Sequence, residues 1–138
     1  VRSSRISEVA CILDTDVVID YLREYDYALR LLQRWLGEGL LAVSTLTHLE
    51  VYQGMKANEA DATGAFLDGL VSVPVDVAVA RRAGTMLGDL RAKGITVGIA
   101  DAIIGATALQ LGATLITNNV DHYPFPHLRL VRGLEDHG

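Results

Sequence analysis

Ala10-Cys11-Ile12-Leu13-Asp14-Thr15-Asp16 runs from four apolar residues straight into an acidic step. A short, unalternating apolar run of this kind reads as a buried strand, and an acid at the end of a buried strand points to catalysis. Three further positions share the setting. Glu50 lies within Ser44-Thr45-Leu46-Thr47-His48-Leu49-Glu50, Asp101 heads an apolar helix, and Asn119 and Asp121 follow Leu115-Ile116-Thr117.

The rest of the chain supplies partners for that strand. Helical spacing of Leu22, Tyr25, Leu29, Leu32 and Leu36 predicts a helical region over residues 16–36, stopped by Gly37 and Gly39. Residues 40–43 form a second strand, after which Ser44 or Thr45 caps a helix that carries Glu50 and ends near Gly54. Residues 61–70 read as a helix, residues 71–73 as a strand bounded by Pro74. Helices follow over 77–92 and 99–111, ended by Lys93-Gly94 and Gly112, and residues 113–117 and 128–131 complete the strands. Alternating strands and helices predict an α/β fold, a three-layer α/β/α sandwich around a mostly parallel sheet of about five strands. Sites in such sheets lie beyond the carboxyl ends of the strands, where Asp14 and the residues after Thr117 fall.

With 138 residues, half of them apolar, and no repeat or linker, the chain is expected to form a single domain over 1–138. The lone Cys11 excludes a disulfide framework and a cysteine zinc site, and fits a reducing cytoplasm. No secretory segment is read at the N-terminus. The one membrane candidate, residues 94–117, holds Asp101, which costs about 2.5–3.5 kcal/mol at a bilayer centre, so no membrane association is expected. A net charge of -5 argues against adhesion to nucleic acid through overall charge, while leaving room for a local basic strip. No glycine-rich phosphate loop is present: the 94–98 segment matches neither the P-loop nor the dinucleotide fingerprint.

Asp14, Glu50 and Asp101 bring oxygen donors from three separated elements, the chemistry that Mg²⁺ and Mn²⁺ prefer. Two charges about 4 Å apart repel by about 4 kcal/mol at an effective dielectric near 20, so without a cation the cluster should destabilise the fold or hold protons. Each acid also has a structural reading: Asp14 as a helix cap, Asp101 as a favourable first-turn charge, Glu50 as a solvated helix residue. Asp16 is near enough to Asp14 to ligate or support it, whereas Asp20, four residues on, is expected at the surface. Thr15 and Thr117 carry hydroxyls able to orient a ligand or phosphate. The histidines, His48, His122, His127 and His137, show no paired metal spacing, and only His122 falls beside the proposed site.

From Ile12-Leu13-Asp14-Thr15-Asp16-Val17-Val18-Ile19-Asp20-Tyr21-Leu22 onward the chain resembles PIN-domain proteins of the VapC toxin type, from bacterial and archaeal toxin–antitoxin modules. Residues 44–54 resemble the second acidic motif of that family, Ala100-Asp101-Ala102-Ile103-Ile104-Gly105-Ala106-Thr107-Ala108-Leu109 the third, and Leu115-Ile116-Thr117-Asn118-Asn119-Val120-Asp121-His122-Tyr123 the fourth. Four motifs in order at suitable spacing are a specific signal. The resemblance implies a ribonuclease that needs Mg²⁺ or Mn²⁺, with Asp14, Glu50 and Asp101 as the acidic core. Asn119 stands where many relatives have a fourth acid, so either Asn119, as a neutral metal ligand, or Asp121 serves there. The implied substrate is a structured RNA, a tRNA or rRNA, and the implied partner is a cognate VapB-type antitoxin. Residues 1–8 look like a flexible N-terminal arm added to the family's usual start.

The 16–36 region offers two apolar stripes, one through Leu22, Tyr25, Leu29, Leu32 and Leu36, another through Ala28, Leu31 and Trp35. Burial of the helix accounts for both; the resemblance adds an antitoxin peptide or a homodimer contact on part of them. Arg23, Arg91 and Lys93 are candidates for RNA contact and equally ordinary helix-end residues. Two rival functions stay open. One is a haloacid-dehalogenase-like phosphatase with Asp14 as nucleophile and Asp16 as acid/base, for which Lys56 and Lys93 are the only lysines. The other is a non-catalytic PIN-like binding module.

Overall fold

The computed structural model describes residues 6–135. Residues 1–5 of the expected arm, and His137, lie outside that span. Five strands form one sheet: β1 (Val9–Leu13), β2 (Leu40–Ser44), β3 (Val71–Val73), β4 (Thr114–Thr117) and β5 (Leu130–Arg132), in the order β3-β2-β1-β4-β5. Every pairing is parallel. The helices are α1 (Thr15–Leu22), α2 (Asp26–Leu36), α3 (Thr45–Gly54), α4 (Ala60–Asp68), α5 (Val77–Ala92) and α6 (Ile99–Leu111). This is the α/β/α sandwich that the alternation predicts. Glu8, read as part of the arm, already belongs to the fold, because its carbonyl accepts from the Leu40 N–H at 3.0 Å.

The apolar run that opens the chain is the middle of the sheet. Cys11, Ile12 and Leu13 have no exposed surface. Their side chains alternate between two layers: Cys11 and Leu13 pack with Val17 and Val18 of α1, Leu31 of α2 and Leu67 of α4, while Ile12 packs with Leu90 of α5 and Ile104 of α6. Helices on both faces explain why β1 shows no polar alternation. Burial of each large aliphatic chain contributes about 1.5–3 kcal/mol.

The expected helical region over 16–36 is two helices. Arg23 ends α1, Glu24 takes a left-handed φ of 63°, and the Tyr25 N–H returns to the Asp20 carbonyl at 3.0 Å. A left-handed residue other than glycine costs roughly 1–2 kcal/mol. The break repays that by turning the chain, so that both helices lay apolar faces on the same side of the sheet. It buries Ala28, Leu31 and Leu32 and leaves Tyr25, Leu29 and Leu36 exposed. No glycine or proline marks the turn, which is why periodicity alone runs through it. Among the described residues no helix is long and apolar enough to cross a membrane.

One glycine shapes the side of the sheet that faces α6. A Cβ on Gly105 would lie 2.9 Å from the Phe125 ring and 3.6 Å from the Tyr123 ring, both buried. Gly105→Ala is therefore expected to overpack this contact and lower stability by about 1–3 kcal/mol. Urea denaturation checks it; an unchanged midpoint contradicts the packing described.

Candidate active site

The strand order reverses at β1, which has β2 on one side and β4 on the other. A crevice opens at the carboxyl ends of strands at such a switch point. The β1–β4 register, Leu13 opposite Ile116, brings Asp14 and Thr117 out side by side, and the Asp14 N–H extends the ladder to the Ile116 carbonyl at 2.9 Å.

Asp14 is 6% exposed. Its Oδ1 accepts from the Thr15 N–H at 2.7 Å and its Oδ2 from the Thr117 hydroxyl at 2.6 Å. The capping reading is thus correct and incomplete: Asp14 caps α1 and is also tied across to β4. Each carboxylate oxygen still keeps a lone pair for another partner. Burial raises the Asp14 pKa to about 6; the Thr117 bond opposes the rise, the Asp16 charge adds to it, and Tyr123 and the Thr15 N–H oppose it.

Neighbouring side chains are set by a short series of hydroxyl bonds. Thr117 Oγ1, having given its proton to Asp14, accepts from the Asn119 N–H at 3.0 Å. Thr15 Oγ1 donates to Glu50 Oε1 at 2.6 Å and lies 3.0 Å from the hydroxyl of the fully buried Thr47. Since Thr15 has one proton and spends it on Glu50, Thr47 donates to Thr15. Asn119 Nδ2 donates to Asp16 Oδ2, and because a carboxylate only accepts, the amide oxygen of Asn119 is left for another ligand. Ser44, rather than Thr45, caps α3, accepting from the Leu46 N–H at 3.0 Å.

Asp101 enters from the first turn of α6. Its Oδ2 lies 3.6 Å from His122 Nδ1. Burial raises its pKa, with His122 and Tyr123 opposing and Asp16 adding to the rise. Asp14, Thr15, Asp16, Glu50, Asp101, and Asn119 line one cleft, joined by Ile19, Gln53, Ile104 and His122. Asp121 lies exposed on the 3-10 turn Val120–His122 and does not line the cleft. Neither Lys56 nor Lys93 lines it, so the lysine a haloacid-dehalogenase mechanism wants is missing from the cleft.

Sequence reading missed three features. Asp20, expected at the surface, is half-buried and accepts a hydrogen bond from the Tyr27 hydroxyl. Asn118 Nδ2 donates to that hydroxyl at 2.7 Å, and its Oδ1 accepts from the Leu134 N–H at 2.8 Å, which pins the loop between Thr117 and Asn119. Tyr123 is buried beside Asp14 and Asp101, and burial, with both carboxylates adding to it, holds its pKa high. None of these contacts is local in sequence, and no spacing rule reports them.

The donor set fits a hard divalent cation. Carboxylate and amide oxygens face the cleft and no sulfur does, since Cys11 is buried in the core with its thiol pushed up to about 12 by burial. Among the described residues no three His, Cys, Asp or Glu side chains are placed to hold a metal ion together. The three acids surround one cleft, but Glu50 is drawn to Thr15. Mg²⁺ keeps several waters and needs only one or two carboxylates, so an open arrangement suits it.

The PIN domain family model matches residues 11–128. The chain belongs to the PIN-domain family. It is 32% identical over 120 residues to Ribonuclease VapC19 of Mycobacterium tuberculosis, covering 86% of this chain and 96% of that protein. It is 33% identical over 113 residues to Ribonuclease VapC10 of the same organism, covering 82% and 85%. Among solved structures, the fold is similar to that of a chain in the DNA-bound VapBC of Salmonella typhimurium, with TM-score 0.79, 21% identity and coverage of 91% and 98%. It is likewise similar to a chain in VapBC2 from Rickettsia felis bound to a promoter DNA fragment, with TM-score 0.78, 22% identity and coverage of 89% and 97%.

The raised Asp14 pKa fixes a sign. A carboxyl that binds its proton more tightly in the folded state favours folding only while protonated, so this contribution is lost as pH rises from about 4 to about 6. At neutral pH the cost is on the order of 3 kcal/mol. Asp14→Asn keeps the shape and removes the charge, and is expected to flatten that part of the pH dependence in metal-free protein. Urea midpoints from pH 4 to pH 7 measure it; identical profiles for variant and parent contradict the buried, raised carboxyl.

Proposed function

We propose that the protein is an endoribonuclease toxin that hydrolyses RNA phosphodiester bonds with Mg²⁺, or Mn²⁺, and is held in check by a VapB-type antitoxin. The observation that carries this reading is the Asp14 and Asp101 pair, brought to one cleft at the sheet's switch point in a chain 32–33% identical to two ribonucleases. Asp14 and Asp101 would hold the cation, with Glu50 as the third carboxylate and the Asn119 amide oxygen as a neutral ligand. Bound there, such an ion lowers the pKa of a water and neutralises charge that develops on the phosphate. Thr15 and Thr117 keep Glu50 and Asp14 oriented through the bonds described above. Asn119 in place of an acid makes the fourth position neutral and leaves the site less repulsive to a phosphate.

The RNA is read as structured, a tRNA or rRNA as in the family resemblance, recognised by shape and loop contacts. Among the described residues no lysine or arginine lines the cleft, so backbone phosphates would be met at its rim. The antitoxin would lay an apolar helix face into the groove formed by Tyr21, Leu29, Leu32, Leu36, Phe66 and Leu70 between α2 and α4. Exposed Leu36, at 60%, supports an added partner there. We read the chain as a single PIN-like domain over 1–138 that acts in the cytoplasm, where Cys11 stays reduced, and as a homodimer.

Incubation of purified, antitoxin-free protein with total cellular RNA tests the activity. Discrete fragments are expected with Mg²⁺ or Mn²⁺ and not with EDTA, and Asp101→Asn should cut the rate by on the order of 10²–10³-fold. Cleavage that persists in EDTA, or in the variant, contradicts this site. Thr117→Val, which removes the hydroxyl shared by Asp14 and Asn119, is expected to lower the rate about 10- to 100-fold in the same assay.

A further inference from the structure

Tyr123 is left over when the cleft's hydrogen bonds are assigned. Its side chain is 2% exposed and packs edge-on against Phe125, with ring centroids 6.4 Å apart. Gly105, four residues after Asp101 and therefore on the same face of α6, makes room for the Phe125 ring, with Tyr123 in contact beside it. The Tyr123 ring ends in a hydroxyl that is fully buried and makes no hydrogen bond of ordinary geometry. Asp14 and Asp101 both lie near enough to act on it.

A buried hydroxyl without a partner costs about 1–3 kcal/mol. Phenylalanine would fill the same space without that cost, so packing does not account for the oxygen. The two carboxylates differ in what they lack. Asp14 already receives the Thr15 N–H and the Thr117 hydroxyl, whereas Asp101 has the exposed His122 at 3.6 Å and, buried beside it, the Tyr123 phenol. A side chain with such a loose tether is poorly fixed for a cation, and hydrogen bonds from surrounding groups are what orient metal ligands.

We infer that Tyr123 is a positioning residue of the metal site: its buried hydroxyl donates to the Asp101 carboxylate and sets it beside Asp14 for a divalent cation. The inference rests on the metal-dependent reading of the cleft. With a cation held by Asp14 and Asp101, the hydroxyl would have a fixed carboxylate to donate to. In metal-free protein it lies buried beside both carboxylates without a hydrogen bond of ordinary geometry to either.

Tyr123→Phe separates this role from packing, because the ring stays and only the oxygen goes. Metal-free Tyr123→Phe is expected to melt at or above the parent temperature. In calorimetric titration with Mn²⁺ and no RNA, its affinity should fall about ten- to a hundredfold, and the rise in melting temperature on adding Mn²⁺ should shrink. RNA cleavage should return toward the parent kcat at saturating Mn²⁺. Parent-like Mn²⁺ affinity in Tyr123→Phe, with binding lost in Asp101→Asn, overturns the role of Tyr123 and leaves the metal site standing. No Mn²⁺ uptake by the parent protein overturns both.

Discussion

The hydrogen bond from Thr117 to Asp14 joins the ends of two neighbouring parallel strands where the sheet changes direction. Everything else in the cleft is arranged around it. It requires β1 and β4 to be adjacent and in register, which in turn requires helices on both faces to cover an apolar β1. It spends the Thr117 proton on Asp14, which leaves the Thr117 oxygen to receive the Asn119 N–H and so fixes Asn119 at the cleft. One hydroxyl therefore orders a carboxylate and an amide from two different strand ends.

That order is held against electrostatics. Asp14 is buried far enough to raise its pKa to about 6, and Asp101 is raised by the same desolvation. A fold selected for stability alone would not gather such groups beside a buried phenol. The hydrogen bonds from Thr117 and the Thr15 N–H offset part of the desolvation of Asp14 without cancelling it. On the proposed reading a divalent cation would supply the missing opposite charge, and carboxylate, amide and water oxygens are ligands of the kind that Mg²⁺ accepts.

The sequence made the sheet and the three acids legible because each rests on a local pattern: an apolar run ended by Asp14, a cap and helix carrying Glu50, a helix start at Asp101. What it concealed depends on tertiary contact. Glu24 turns the chain with no glycine or proline, since the driving force is burial of Ala28 and Leu31 on a sheet formed elsewhere. Asp20 looked like a solvated helix residue, yet it meets Tyr27, seven residues on, and through it Asn118. Tyr123 sat unremarked beside the more conspicuous Asn119, Asp121 and His122. It packs against Phe125, whose ring occupies the hollow at Gly105, twenty positions earlier in the chain, and no periodicity exposes that contact.

The most direct test of the central claim is anomalous scattering from a crystal of the protein soaked with Mn²⁺. The account predicts one strong peak between the Asp14 and Asp101 carboxylates, with the Asn119 amide oxygen turned toward it. Manganese bound elsewhere, with that cleft vacant in crystals of protein that cleaves RNA, would contradict it.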